Sequence, residues 1–384
     1  MLSLVNGEKK IMSTFVGIGL GPIQTGIFLA GAFKGGFDRI VIAEVNPDLK
    51  AAVNAAGSVT VNIANRDSIT TEVYGNVEVY NPLDSAELPK LIEAAAEAEE
   101  FATALPSVKF FSSCAPWLLE GFKRSPERRR FIYTAENNNH AAEELEKAVG
   151  VAFPNTYYLN TVIGKMSGVL KESPLPMLAP GAPVGHLVEA FNTIYISKCP
   201  GIEERKTASL YVKDDLYPFE EAKLYGHNAT HFLLGTLGKA KGFTTMDELA
   251  DQKELLAIAR AAFVEESGKA LVKKYAHLND ELFTEAGFTA YAEDLLVRMT
   301  NPFLKDAIDR ITRDLERKLS WDDRVIGTMR TILSQGVEPV NFGKGAKLAA
   351  VEFAEGGDPK AKLAALWPQP WGDEHEKLCK IIGL

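Results

Sequence analysis

The stretch that most restricts how this chain can fold is Val16-Gly17-Ile18-Gly19-Leu20-Gly21-Pro22-Ile23-Gln24-Thr25-Gly26. An apolar run at residues 13–19 leads into it and reads as a buried strand. Residues 22–33 continue as an apolar helix, and residues 38–44 (DRIVIAE) read as a second buried strand. Strand, glycine turn, helix and strand make a βαβ unit with a right-handed crossover. Glycines at such a turn permit a tight bend, let a pyrophosphate approach the backbone, and let the helix pack against the strand. The helix N-terminus then offers unpaired N–H groups and the positive end of its dipole to the phosphates. Gly19 and Gly21 fill the first two positions, Gln24 stands at the third, and Gly26 follows two residues on. Glu44 closes the second strand, where a carboxylate accepts the adenosine ribose hydroxyls and repels a 2′-phosphate. NAD is therefore the expected cofactor, rather than NADP. A structural glycine turn with a solvated Glu44 is the plain alternative.

The α/β alternation continues past this unit. Residues 58–63, 70–80, 108–112 and 130–135 read as extended. Residues 88–100, 115–124 and 138–149 read as helical. This is the pattern of a doubly wound sheet. Prolines 174, 176, 180 and 183 mark a loop-rich passage, with strands at 188–197 and 208–213 that extend the sheet. Beyond Pro218 the chain turns helical, over residues 219–239, 246–275, 281–299, 302–318 and 322–335. The fold class is α/β, a Rossmann-like doubly wound sheet followed by a mainly α-helical C-terminal domain. The expected division is 1–200 for cofactor binding and 201–384 for substrate and catalysis. A chain of 384 residues with 46% hydrophobic and 24% charged residues suits two ordinary globular cores.

Charge and cysteine content exclude several functions. A net charge of -9 argues against a general nucleic-acid surface. No apolar run reaches the ~20 residues of a membrane span. Residues 1–12 lack a signal-peptide pattern and read as a disordered extension. Cys114, Cys199 and Cys379 are far apart, which suits a reducing cytoplasm and gives no disulfide or zinc framework. The expected partner is a small molecule, and the expected assembly a monomer or small homo-oligomer.

The most unusual stretch is Lys223-Leu224-Tyr225-Gly226-His227-Asn228-Ala229-Thr230-His231. At roughly 100° per residue, Asn228 lies about 140° and His231 about 80° around the helix from Lys223. All three fit on one broad face. A lysine in a low-dielectric pocket loses charge and becomes a general base near neutral pH. An asparagine amide can hold a developing carbonyl oxygen. Two other readings stand beside this one. The face is solvated, or His227 and His231, four apart, bind a metal, although Asn228 occupies the place of the usual glutamate. No metal is expected. Further on, Arg310, Arg313, Arg317 and Lys318 run down a segment that is either a solvated charged face or an anion and hydroxyl site.

Together these stretches resemble the long-chain polyol dehydrogenases, in particular the branch acting on mannitol 1-phosphate. The resemblance extends over most of the chain. Its most specific motif is K-x4-N-x2-H, here Lys223, Asn228 and His231. Ala43-Glu44-Val45-Asn46, Thr103-Ala104-Leu105-Pro106 and Glu136-Asn137 resemble the family's other cofactor segments, and residues 298–323 its C-terminal segment. The resemblance implies that Asn46, Thr103, Ala104 and Asn137 border the cofactor. It implies that Lys223 is the general base, Asn228 polarises the oxygen and His231 positions it. Arg310 and Lys318 would bind the substrate's hydroxyls or phosphate. The reaction implied is NAD-linked interconversion of a sugar alcohol phosphate and its ketose phosphate. Free mannitol, a hexonate such as altronate, or a catalytically silent NAD-binding sensor are the alternatives. Three departures stand out: Gln24 and Pro106 replace glycines, and Gly164-Lys165 stands where the family carries Asp-Arg.

Overall fold

The computed structural model describes residues 12–384, together with the backbone of residues 3–5 and 8–10. The N-terminal extension lies partly outside these residues. Its described part forms two short antiparallel strands, β1 (Ser3–Val5) and β2 (Glu8–Lys10). The chain forms two compact units, 1–216 and 217–384.

The first unit is built on β3 (Thr14–Ile18) and β4 (Arg39–Ala43), which pair in parallel across the expected βαβ crossover. All five residues of β3 are buried, the mark of a parallel strand covered on both faces. Phe15, Ile40, Ile42 and Phe131 pack on one face, and Val16, Val41, Phe101 and Ile132 on the other. Next come β5 (Ser58–Ala64), β6 (Ile69–Gly75), β7 (Val77–Tyr80), β8 (Glu100–Thr103) and β9 (Arg130–Thr134). The unit is completed by β10 (Thr156–Ile163), β11 (Ser167–Leu170), β12 (Gly185–Glu189), β13 (Ile194–Ser197) and β14 (Leu210–Lys213). The main sheet runs β14-β13-β10-β9-β8-β3-β4-β7, parallel except at the β10–β13 pair. A second sheet runs β11-β12-β5-β6. From β3 the chain winds outward through β4 to β7, then returns on the other side of β3 as β8 and β9. That reversal places a crevice at the carboxyl ends of β3 and β8.

Several sequence expectations are corrected here. Residues 70–80 form not one strand but two in different sheets, because Asn76 takes a positive φ of 59° between them. Likewise 188–197 is split between β12 and β13. The strand expected at 108–112 lies earlier, at β8, and 108–112 instead opens the helix Phe111–Arg124. Strands β10 and β11 were not anticipated. Because β13 and β14 complete the main sheet, the first unit ends at Leu216 rather than near 200.

The second unit is helical. Residues 217–240 form one helix with a π-turn at Ala222–Asn228, and 253–275 another with a π-turn at Ala262–Gly268. The two cross at small residues: a Cβ on Gly226 would stand 2.8 Å from the Phe263 ring. The Ser267 hydroxyl donates to the Tyr225 carbonyl across the crossing, at 2.8 Å. Helix Glu285–Met299 begins at a Thr284 cap, its hydroxyl accepting from Gly287 N–H. The helix expected at 302–318 is broken. Only Ile308–Thr312 and Leu315–Lys318 are helical, and Asp314 between them has a φ of 64°. Ile326–Ser334 is followed by three helices beyond the sequence reading: Val340–Phe353, Pro359–Leu366 and Asp373–Ile382. Among the described residues no helix is long and apolar enough to cross a membrane.

Candidate active site

In the first unit a cleft of about 500 Å³ opens at the carboxyl ends of β3, β4 and β8. Gly19, Leu20, Gly21, Glu44, Ala104 and Pro106 are among its walls. The glycines divide the labour as the turn requires. Gly19 has a φ of +85°, and a Cβ there would stand 2.8 Å from the Ala104 carbonyl oxygen. A Cβ on Gly21 would meet nothing within 4 Å, so this glycine leaves room for something the protein does not itself supply. Gly26 is the packing glycine. Its Cβ would stand 2.7 Å from Val188, on β12 of the second sheet. Pro22 and Ile23, which start the following helix, also line the cleft.

Gln24 is placed elsewhere. It is wholly buried beneath β3, against Gly17, and is not among the residues lining the cleft. Its occupation of the glycine position is thus absorbed by Gly17, which has no side chain to compete with it.

Glu44 links the turn to the next strand. One carboxylate oxygen accepts from Leu20 N–H at 2.9 Å, the other from Asn46 N–H at 2.8 Å. Asn46 has its side-chain oxygen committed to capping the helix Pro47–Ala56, accepting from Asp48 and Leu49 N–H. Thr103, at the end of β8, donates its hydroxyl to Glu136 at 2.7 Å, and Leu105 N–H donates to the other Glu136 oxygen at 2.8 Å. Burial raises the Glu136 pKa, against the hydrogen bonds it accepts. Glu136 therefore fixes the Thr103–Pro106 bend that walls the cleft. Asn137, next to it, is exposed. Cys114 also lines the cleft, but burial pushes its thiol up to about 12, which leaves it a poor nucleophile. Lys165, at the departed Asp-Arg position, is buried and donates to the Phe191 carbonyl at 2.7 Å.

In the second unit Lys223, Asn228 and His231 lie on the helix 217–240, and the π-turn changes their relation. Ala229 N–H bonds back to the Leu224 carbonyl, five residues earlier. Because a π-turn winds more residues into each turn, residues five apart stand closer around the axis than in a regular helix. Lys223 and Asn228 are therefore aligned far more closely than the 140° of a regular helix, and His231 follows three residues on. Burial, then repulsion from Arg324, lowers the Lys223 pKa to about 8, with Glu220 opposing. Burial likewise takes His231 down to about 4, so its imidazole is neutral near pH 7. Its Nε2 lies 3.6 Å from Asp306 Oδ2 and has no hydrogen-bond partner among the described residues. His227 is buried one turn away, its ring centroid 6.0 Å from that of His231. Among the described residues no group of three or more His, Cys, Asp or Glu is placed to hold a metal.

The break in the expected helix 302–318 falls between Arg310 and Lys318, and the two side chains part company. Arg310 is exposed and forms a two-pronged pair with Asp306, the carboxylate that also faces His231. Lys318 is buried, and its ammonium donates to the Ile311 carbonyl at 2.6 Å and to that of Arg313. It thereby satisfies carbonyls freed where the helix Ile308–Thr312 ends. Sequence reasoning missed Arg324, whose charge lowers the pKa of Lys223, His227, His231 and Lys318 alike. Its only sequence signal is its position directly after the resembling segment 298–323.

Comparison with known proteins bears on both units. A family model described as the mannitol dehydrogenase C-terminal domain matches residues 215–373. The chain is 30% identical over 367 residues to mannitol-1-phosphate 5-dehydrogenase of Bacillus licheniformis, covering 89% of this chain and 88% of that one. Among solved structures it is similar to a D-sorbitol dehydrogenase in substrate-free form (TM-score 0.70, 13% identity, 90% and 82% of the two chains). It is also similar to Pseudomonas fluorescens mannitol 2-dehydrogenase in ternary complex with NAD and D-mannitol (TM-score 0.63, 16% identity, 93% and 84%). At these identities the two structures speak to the fold alone.

Proposed function

The chain belongs to the mannitol dehydrogenase family of polyol oxidoreductases, and on that premise we propose that it interconverts a sugar alcohol phosphate of the mannitol 1-phosphate kind and its ketose phosphate, using NAD. The observation that carries the reading is the π-turn at Ala222–Asn228, which aligns a lysine of lowered pKa with an amide donor and a neutral histidine. A π-turn costs helix regularity, and such turns concentrate at functional sites.

The cleft of the first unit fits the cofactor. Gly21 leaves the open space a pyrophosphate needs, Pro22 begins the helix behind it, and Glu44 stands at the end of β4 for the ribose hydroxyls. NAD, when bound, supplies the hydride acceptor. The chain's own residues handle the proton and the oxygen. Neutral Lys223 takes the hydroxyl proton as the carbinol C–H electron pair departs and the C=O bond forms. The Asn228 amide donates a hydrogen bond to that oxygen as it becomes a carbonyl. His231, neutral, accepts from or donates to the same hydroxyl and sets its orientation. In the reverse direction the lysine ammonium returns the proton. The phosphate on the substrate is supported by the name of the Bacillus licheniformis relative and by the cationic surroundings of Lys223.

The test is NADH formation by purified protein on a panel of polyols and polyol phosphates, with NADP as control. Turnover of mannitol 1-phosphate above free mannitol and altronate supports the proposal. Preference for a free polyol or hexonate moves the substrate class, and NAD binding without turnover of any of them refutes the enzymatic reading.

A further inference from the structure

With Arg310 taken by Asp306 and Lys318 by two carbonyls, the residues expected to hold the substrate's phosphate are engaged internally. Arg324 is not. Its Nε donates to Asp323 Oδ1 at 2.8 Å, while no Nη hydrogen bond is formed to the protein among the described residues. The side chain is only 16% exposed, so its charge is screened little by solvent. Its orientation is fixed from several sides. Asp323 is itself pinned by Arg317 Nη1 at 2.9 Å. The Arg324 carbonyl accepts from the Thr328 hydroxyl at 2.6 Å. Two residues before Arg324, Asp322 accepts at its carbonyl from the Tyr225 hydroxyl at 3.3 Å, which ties this loop to the π-turn that carries Lys223.

The charges around Arg324 leave a cationic surplus. From the π-turn helix comes Lys223, whereas His227 and His231 beside it are neutral near pH 7. The broken helix contributes Lys318, Arg317 and Arg310, and Arg298 joins from the helix before it. The acids opposing them are Glu220, Asp294, Asp306, Asp314 and Asp323. Asp306 and Asp323 are each already bonded to an arginine. A guanidinium with its outer edge free, held rigid beside a lysine base, matches a tetrahedral oxyanion in both charge and shape.

We propose that Arg324 is the residue that reads the anionic group of the substrate, a phosphate monoester, and so selects phosphorylated over free polyols. The inference rests on the sugar alcohol phosphate reading above and names the residue responsible for it. Phosphate recognition and base activation then share one side chain. The guanidinium repels the proton on Lys223 and attracts the ester.

The experiment compares wild type with Arg324→Gln and Arg324→Lys, using kcat/KM for mannitol 1-phosphate and for mannitol. Rates are taken on the alkaline plateau, where Lys223 is neutral in every variant and its ionisation drops out. Inorganic phosphate serves as a competing probe, and a thermal melt confirms that each variant is folded. The ratio of ester to free-polyol kcat/KM should fall on the order of 100-fold in Arg324→Gln, mainly through KM, and less in Arg324→Lys. Competition by inorganic phosphate should weaken in parallel. An unchanged ratio overturns the role of Arg324, as does an equal loss with both substrates, which would make it a positioning residue for Lys223. If Arg324→Gln fails to fold, the Arg324→Lys ratio and its phosphate competition decide alone. A wild type with no preference for the ester refutes the substrate reading itself, a result distinct from either of these.

Discussion

Replacing Gly19 and Gly21 by alanine, one at a time, separates the two duties assigned to the glycine turn. At Gly19 the new methyl meets two obstacles. Its φ of +85° lies in the left-handed region, which costs an L-residue about 1–2 kcal/mol. The methyl would also stand 2.8 Å from the Ala104 carbonyl oxygen, a backbone atom at the end of β8 that yields little. Overpacking of this kind costs about 1–3 kcal/mol. The sum is about 2–5 kcal/mol, or a fall in Tm of about 4–20 °C for a unit of roughly 200 residues. At Gly21 neither obstacle exists, since its Cβ meets nothing within 4 Å and its φ is not positive. Gly21→Ala should melt within about 2 °C of wild type, because an unobstructed substitution stays near ±0.5 kcal/mol. Yet it places a methyl where a pyrophosphate must approach, and NADH affinity should fall at least about tenfold, or 1.4 kcal/mol. Calorimetry and an NADH fluorescence titration read the two quantities separately. A Gly21→Ala protein as destabilised as Gly19→Ala, with NADH binding intact, would refute this division of roles.

Other outcomes follow from the same geometry. Lys223→Ala should abolish turnover with NADH affinity nearly unchanged; wild-type-like rates would remove Lys223 from the mechanism. Because only the neutral amine accepts a proton, wild-type polyol oxidation should rise with pH through about 8 and then level off. A rate that falls over that range would contradict the sign. Glu44→Ala should weaken NAD and relax discrimination against NADP, since the carboxylate that opposes a 2′-phosphate is gone; an unchanged NAD to NADP ratio of kcat/KM removes that role. Lys318→Met should act mainly on stability, losing charged hydrogen bonds worth about 1.5–3 kcal/mol each. Urea denaturation measures this, and full stability with a raised substrate KM would return Lys318 to the substrate.

The elements legible in the sequence were those whose signals are local. The strand–glycine–helix–strand unit around Gly19 and Glu44 shows in contiguous residues, because burial on both faces of β3 and β4 demands unbroken apolar runs. The K-x4-N-x2-H spacing at Lys223 is equally local. Less was legible where partners are remote. The pattern at 108–112 mimics strand β8 because a four-residue buried strand and the start of a helix look alike in so short a window. The break at Asp314 left no trace in the basic run 310–318, whose charged residues read equally well as a continuous helix.

Contiguous residues alone specify the βαβ unit with its glycine turn, the helical second half, and the identity of the lysine, asparagine and histidine. The surroundings of these residues come from contacts made only in the folded chain. The π-turn aligns Lys223 with Asn228 because a hydrogen bond five residues long is a matter of packing, not of local propensity. Burial and Arg324 together lower the pKa of Lys223, and neither effect can be read from spacing along the chain. Gly26 is needed for Val188, a strand 162 positions away, and Lys318 turns inward to satisfy carbonyls orphaned by a helix break. In each case the deciding energy comes from desolvation and from contacts between distant segments, which exist only once the chain has closed on itself.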